Sequence, residues 1–454
     1  VNSAAALHIG AEQSKSSYDR LLPKHPILLK PSGAFTPQSR IVAWVNLTKK
    51  NVKEHRIMPT ISRRSFIQAS SAAAASYVVA GSAHAAVADR VRHAVIGVGG
   101  QGGNHAKVFS SMEDCSIVAI ADVDAVRRDQ VAKLLSEKGP VKQYEDFREL
   151  LKDESIHSVS IATPDHWHTP VALAALKAGK HVYVEKPCCH NMKEGVLLAA
   201  AQKKTGLCVQ HGTQFRSTQA AREGIQLLRD GVIGTVRMAK AINHQFREPI
   251  GRKPDSEPPA GLNYDLWLGP APVRAFSENR FKYNWHWHWD YGTGDIGNDG
   301  VHQIDVARWG LNVGLPKAVT ASGGQLFYDD DHETPDTQVV TYEYDNCYLL
   351  FEMRLWTNYL LEGHDNGVVY YGDKGTLEIG RHGTTIKLID TEPKRIEGGA
   401  DLAANVRNFL DSVKANDPSK LNAPISEGVL SSQLALLGNV ATRAYRKGYE
   451  LVEV

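Results

Sequence analysis

The sequence predicts an α/β protein in two parts. The N-terminal part is a doubly wound parallel sheet, and the C-terminal part is an α/β domain with a large, open, mainly antiparallel sheet. Three observations predict it. Short apolar runs alternate with helical segments across residues 93–211, the pattern of a parallel sheet with crossover helices. A glycine-rich turn joins the first apolar run to the first helix. Beyond Gly212 the runs become consecutive, alternating and separated by turns such as Asp345-Asn346 and Gly372-Asp373-Lys374-Gly375, which is hairpin chemistry.

The first strand is read at 94–98, followed by Gly97, Gly99 and Gly102 in G-x-G-x-x-G spacing, with Gly100 and Gln101 inside the turn. A helix is expected over 105–112 and a second strand over 116–121, ending at Asp122. Gly97 permits the tight turn, Gly99 lets backbone approach a pyrophosphate, and Gly102 lets helix and strand pack closely. The helix N-terminus offers free N–H groups to phosphates. Asp122 stands where a carboxylate accepts from both ribose hydroxyls. This context predicts a dinucleotide-binding Rossmann domain over 90–212.

Further along, helices are expected over 124–137, 144–151, 170–178 and 192–205, and strands over 158–162, 181–184 and 207–211. Ligands of such sheets lie outside the carboxyl ends of the strands. Thr163, Pro164 and His168 follow one strand end, and Glu185 and Lys186 follow the next, so these five should border the cofactor. Gln214 and Arg216, just past the last strand, are expected to line the cleft between the domains. The second domain, 213–454, is read as a helix over 219–229, a strand over 236–243 and a loop over 248–261. Strands over 318–325, 337–344, 348–355, 367–371 and 375–379 follow. A last helix over 427–445 is expected to return and pack on the Rossmann domain.

Composition bounds the function. The chain has 454 residues, 42% hydrophobic and 22% charged, enough for two domains with real cores. A net charge of +2 without a long basic run argues against nucleic acid as a partner. The five cysteines have neither zinc-finger nor thioredoxin spacing and are read as buried or free thiols.

The N-terminal segment carries a targeting pattern. Ser62-Arg63-Arg64-Ser65-Phe66 precedes an alanine-rich apolar run and Ala83-His84-Ala85. Paired arginines, a modest apolar region and an A-x-A site make a twin-arginine export signal over 58–86. The expected partner is the twin-arginine translocase, and the expected location is periplasmic or otherwise extracytoplasmic. Residues 1–57 contain no methionine and Met58 stands just before the signal, so this stretch is read as an upstream extension that is not folded.

Five motifs in order resemble the glucose–fructose oxidoreductase and inositol dehydrogenase family (Gfo/Idh/MocA). They are the glycine turn at 97–102, Asp122, Thr163-Pro164-Asp165-His166-Trp167-His168, Glu185-Lys186-Pro187, and the stretch 294–309. The resemblance covers residue 92 to the C-terminus. It implies NAD or NADP, with oxidation or reduction of a sugar, a polyol or a derivative of one. It also implies self-association through the open sheet, as a dimer or tetramer.

The candidate chemistry centres on two residues. Lys186, beside a nicotinamide, can hydrogen-bond a substrate hydroxyl and stabilise its alkoxide. His302 begins a helical stretch and can take the hydroxyl proton, with Asp305 three residues on to orient it. The family pattern places an aspartate four residues before this histidine, where the chain has Asn298. An amide hydrogen-bonds but takes no proton. Three readings stay open: Asp299 or Asp295 substitutes, His302 and Lys186 act alone, or the reaction differs from simple alcohol oxidation. In Trp285-His286-Trp287-His288-Trp289-Asp290, an extended backbone would put the tryptophans on one face, and Trp285 and Trp287 are candidate sugar contacts. The opposite face, His286, His288 and Asp290, could hold a metal, but the redox chemistry of the fold requires none and none is predicted.

The leading expectation is an exported NAD(P)-dependent oxidoreductase acting on CH–OH groups of a carbohydrate. The alternative is a glycoside-cleaving enzyme that uses tightly held NAD transiently, and a non-catalytic sugar- or nucleotide-binding protein stands third. Asp122 repels a 2′-phosphate, so NAD is expected to bind more tightly than NADP despite nearby Arg127 and Arg128. Calorimetry checks this; the reverse order overturns the role given to Asp122.

Overall fold

Six short runs form the first sheet: β1 (Val91–Ile96), β2 (Cys115–Ala121), β3 (Lys142–Tyr144), β4 (Ser158–Ile161), β5 (His181–Val184) and β6 (Val209–His211). The computed structural model describes residues 90–446 and 452–453; the expected export signal and the tract before it lie outside the described residues. All pairings are parallel, in the order β3-β2-β1-β4-β5-β6. The order reverses between β1 and β4, which opens a crevice at their carboxyl ends. Every residue of β4 and β5 is buried, because helices cover both faces.

The crossovers are α1 (Gly100–Ser111), α2 (Ala125–Leu135), α3 (Phe147–Leu150), α4 (Asp165–Lys177) and α5 (Met192–Thr205). Three depart from the sequence reading. α1 starts at Gly100 rather than 105, because the turn itself needs only the residues up to Gly99. The stretch read as one helix over 144–151 ends β3 at Tyr144 and then forms a single turn, α3, whose Asp146 cap accepts from the Arg148 amide at 2.9 Å. α4 starts at Asp165 and carries Pro170 within it. Its first turn is held by contacts to the second half of the chain, a tertiary effect that outweighs the proline signal.

The second half contributes α6 (Gln219–Arg229), β7 (Val236–Asn243), α7 (Tyr264–Leu268), α8 (Gly294–Asn298) and α9 (Gly300–Leu311). The strands β8 (Ala318–Gly324), β9 (Thr337–Glu343), β10 (Tyr348–Arg354), β11 (Asn366–Gly372), β12 (Gly375–Gly380), β13 (Gly383–Leu388) and β14 (Lys394–Glu397) follow. Then come α10 (Leu402–Ala415), α11 (Ile425–Arg446) and β15 (Val452–Glu453). The sheet order is β14-β13-β12-β11-β7-β10-β9-β8-β15, antiparallel except for the parallel pair β7–β10. β9 shows the period of two: Gln338, Val340 and Tyr342 are buried while Val339 and Glu343 are exposed. The buried face packs on α9 and α11 through Ile304, Ala307, Phe351, Tyr370, Leu434 and Leu437. Tyr342 donates its hydroxyl proton to Leu434 O at 2.8 Å, so the ring is buried without an orphaned polar atom.

α11 serves both halves. Ile425, Val429 and Leu436 share a core with Val182 and Leu198, while Leu434 and Leu437 face the second sheet. α10, like β13 and β14, was not anticipated from the sequence. It leaves the second sheet and buries Val406, Phe409, Leu410 and Val413 against Val91, Val95, Phe109 and Tyr183. Among the described residues, all five cysteines are free and no helix is long and apolar enough to cross a membrane.

Phe409→Ala removes a fully buried ring from this shared core. It is expected to lower the stability of the N-terminal domain by about 3–5 kcal/mol. Urea unfolding followed by tryptophan fluorescence checks this; a loss confined to fraying of α10 would show that the helix is only an appendage.

Candidate functional site

A cavity of about 810 Å³ opens at the carboxyl ends of the first sheet and is completed by residues from the second half of the chain. Gly97, Gly99, Gly100, Gln101, Asp122, Thr163, Pro164, His168, Glu185 and Lys186 all line it, as the sequence predicts. Gly97 has φ +78°, a backbone that side chains rarely adopt, and a Cβ there would lie 2.8 Å from Thr163 N. A Cβ on Gly102 would lie 1.8 Å from Gly97 O, so helix and strand cross in contact. At Gly99 and Gly100 a Cβ would meet no protein atom within 4 Å. α1 has no side-chain cap and no acidic residue in its first turn, which leaves its N-terminal N–H groups for an anion. Asp122 accepts from Val98 N at 2.7 Å and Asp124 N at 2.9 Å; burial pushes its pKa up against these donors. This cradle fits a dinucleotide. The glycine turn and α1 would hold the pyrophosphate, and Asp122 the ribose.

Glu185 and His168 do more bracing than binding. Glu185 is buried and accepts from His105 Nε2 at 2.9 Å, Gln101 Nε2 at 3.0 Å and Lys186 N at 3.2 Å. Burial opposes its charge, but His105, Lys186 and Gln101 hold the carboxyl well below the usual range. It therefore ties α1 to the end of β5. The His168 ring spans Thr163 O and Pro187 O, each at 2.7 Å, and staples the ends of β4 and β5 together.

At the other end of the cavity Lys186 Nζ donates to Asn298 Oδ1 at 3.1 Å. Asn298 Nδ2 donates to Tyr283 Oη at 3.1 Å and to Asp295 Oδ1 at 3.0 Å. The amide orientation follows from these partners, since a flip would set its NH₂ against an ammonium. Asp295 is buried and also accepts from Asn243 Nδ2 at 2.9 Å and Arg247 Nη2 at 3.1 Å; burial raises its pKa. Asp299 lines the cavity and pairs with Arg247. Burial works against its charge, but Lys186 and Arg247 together hold it ionised. Of the two carboxylates the sequence left open, Asp299 is the one that reaches the cavity. His302 lines the same wall with its ring against Phe215, and its Nδ1 is buried without a protein partner. Burial, then the Lys186 charge, lowers its pKa to about 4. Gln214 and Trp285 line the cavity as expected.

Three expected site residues lie elsewhere. Asp305 does not orient His302; it accepts from Arg216 Nε at 2.7 Å and Nη2 at 2.9 Å, and from Ser431 Oγ at 2.6 Å. Arg216 is consumed by that pair and is absent from the cavity wall. Trp287 is core, packed against His332. The tryptophan–histidine run is not extended. It forms a short 3₁₀ turn, Asn284–Trp287, so the even and odd residues do not separate onto two faces. His288 Nε2 lies 2.6 Å from Asn279 O, and no group of described residues is arranged to hold a metal. Conversely, Arg247 and Tyr283 line the cavity and were not anticipated, because neither falls in a motif; His286, expected on the face opposite the tryptophans, lines the cavity together with Trp285.

A doubly wound dinucleotide fold coupled to an open-sheet α/β domain is the class this architecture defines. Two family descriptions match it in tandem. The GFO/IDH/MocA "oxidoreductase family, NAD-binding Rossmann fold" covers residues 91–213, and the "C-terminal alpha/beta domain" covers 235–449. The chain belongs to the GFO/IDH/MocA oxidoreductase family. It is 31% identical over 208 residues to a glycosyl hydrolase family 109 protein of Saccharopolyspora erythraea, 42% of this chain and 45% of that protein. It is 34% identical over 146 residues to scyllo-inositol 2-dehydrogenase (NAD(+)) of Bacillus subtilis, 32% of this chain and 42% of that protein. The chain thus spans about half the length of the curated relatives it matches. A levoglucosan dehydrogenase solved with NADH shares the fold, with a TM-score of 0.62 and 17% identity over 80% of this chain and 99% of that one.

The histidines give a pH prediction. Burial lowers the His302 pKa to about 4, from the ordinary 6.5 of a free imidazole. Between these values the unfolded chain holds more protons, so stability contributed by the neutral ring is present above pH 6.5 and lost as pH falls toward 4. His286, lowered to about 3 by burial, acts the same way, while Asp165, raised to about 7 by burial, acts oppositely. His302→Gln removes one of these titrating rings. Its melting temperature is expected to fall less steeply than that of wild type between pH 6.5 and 4; an equal slope refutes the lowered pKa.

Proposed function

We propose that the protein is an exported, NAD-dependent oxidoreductase acting on a CH–OH group of a sugar, a polyol or a sugar derivative. The observation that carries this reading is the convergence of Lys186 and His302 at one end of a cavity whose other end is a dinucleotide cradle. NAD, when bound, supplies the hydride acceptor. Lys186 Nζ, oriented by Asn298, hydrogen-bonds the reacting oxygen and stabilises negative charge on it. His302, neutral at pH 7, takes the hydroxyl proton. Asp299, held ionised, stabilises the imidazolium that forms. Asn298 takes no proton; it holds Lys186 on one side and Tyr283 on the other. Because Tyr283 Oη accepts from Asn298, its own proton is free to be donated to a second substrate oxygen. Trp285, stacked on His286 with ring centroids 3.6 Å apart, offers an indole face suited to a sugar ring.

Two further parts of the reading rest on the sequence. Arg63-Arg64 and the apolar run after them support export by the twin-arginine route, which carries folded cargo, so the nucleotide would be acquired first and retained. The outward face of the second sheet exposes Met238, Val339 and Tyr348, which suits self-association. The family 109 relative favours a second reading, cleavage of a glycoside with no net NADH. Incubating the purified protein with polyols, sugars and nitrophenyl glycosides, while following NADH and nitrophenol, separates the two.

Lys186→Ala and His302→Ala are expected to lose turnover by about 100-fold or more. Both should retain NAD affinity by calorimetry, since neither holds the pyrophosphate. A folded variant that no longer binds nucleotide would show that the role assigned to that residue is wrong.

A further inference from the structure

The segment after β7 crosses from the second sheet to the first domain, and it crosses at the nucleotide end of the cavity. Asn263 N donates to Val123 O at 3.0 Å, and Ala125 N donates to Gly261 O at 2.9 Å. These two bonds make an antiparallel bridge between Asp124 and Leu262, immediately after Asp122. The next five residues form α7, a helix too short to satisfy its own last carbonyls. Those carbonyls are taken by the first turn of α4. Trp167 Nε1 lies 3.2 Å from Leu266 O and 3.1 Å from Trp267 O, and His166 Nε2 lies 3.0 Å from Trp267 O. The imidazole is neutral at pH 7, its pKa lowered to about 4 mainly by burial, and donates from Nε2. Gly269, at φ +48°, packs against the Trp167 ring; a Cβ there would sit 1.9 Å from Cζ2. Trp267 and Leu268 of the segment are buried with Phe276, Phe281 and Tyr291 in a separate cluster.

The cavity runs between these parts. Asp122 and Asp124 of the first half and Leu266, Trp267 and Phe281 of the second all line it. A segment of the other half of the chain thus lines the cavity beside the carboxylate that would hold the ribose.

We infer that His166 and Trp167 are positioning residues that latch the segment 261–269 beside the nucleotide, and that lifting this latch limits nucleotide release. The inference rests on the dinucleotide reading above and adds to it a reason for retention. The latch consists of three side-chain-to-carbonyl contacts, one backbone bridge and one ring-to-backbone packing contact. All five must open together, because the segment is one short piece. Neither His166 nor Trp167 is assigned to proton handling.

The test uses NADH as the probe on the full chain. Protein loaded with NADH is mixed with excess NAD, and the decay of bound NADH fluorescence gives the release rate. Trp167→Phe removes the N–H donor together with the fused ring that packs on Gly269; Gly269→Ala pushes the segment off the ring from the other side. Each is expected to speed release by about tenfold or more, which corresponds to about 1.4 kcal/mol of barrier, without slowing association. Release rates in both variants indistinguishable from wild type overturn the inference. Hydrogen exchange on wild type gives a reading that needs no variant: NAD should slow the Ala125 and Asn263 amides by the same factor. Amides that ignore NAD, or respond unequally, overturn the single latch. A wild-type protein that binds no NADH overturns the dinucleotide reading itself, and this inference with it.

Discussion

The buried pair of Arg216 and Asp305 is the interaction on which the site's geometry depends. Arg216 lies two residues beyond Gln214, at the exit from the first sheet, and Asp305 lies one turn along the helix that carries His302. Both are buried, and the contact is bidentate, so it sets an angle as well as a distance. Ser431 on α11 supplies a further donor, and Arg308 and Glu427 complete the network. Burial opposes the Asp305 charge, but Arg216, Arg308 and Ser431 hold it ionised. Such a pair adds little net stability over an apolar contact of the same shape, yet removing one partner costs about 3–5 kcal/mol. Its value is registry: it fixes the His302 helix against the strand ends that carry Lys186.

Around that joint the cavity is built from groups that hold each other in defined charge states. Glu185 is kept ionised by His105 and Lys186, and Asp299 by Lys186 and Arg247. His302 and His286 are kept neutral by burial. Asn298 is the neutral member between Lys186 and Asp295. An aspartate there would stand directly against Asp295, three residues before it on the same short helix, and the two carboxylates would compete for Arg247 and Lys186. The amide avoids that repulsion, at the loss of a proton acceptor, and moves the acceptor's role to the carboxylate next door.

The two halves of the chain are not stacked modules. α10 completes the core under β1, α11 lies between both sheets, and the segment before α7 crosses to the end of β2. The cavity is thus lined by residues from both halves of the chain.

Much of this was legible in the chain. The alternation of strands and helices, the glycine turn, Asp122, and Lys186 at a strand end all follow from periodicities and dihedral requirements that act within a few residues. The helices Met192–Thr205 and Gln219–Arg229 fall where local pattern places them. β13 and β14 escaped because their exposed faces are polar, and α10 because its apolar face matches a partner some 300 residues away. The site shows the same division. Asp295, Asp299 and Asp305 are alike in local sequence, and what separates them is which remote cation reaches each: Arg247 meets the first two and Arg216 the third. Tyr283 and His286 enter the cavity, and Trp287 leaves it, because the run curls into a 3₁₀ turn under tertiary contacts instead of extending. Local chemistry, acting over a turn or a strand, was determined by the sequence itself. Which charge faces which was decided only by the tertiary structure, because Coulomb forces and packing act through space between segments that sequence order keeps far apart.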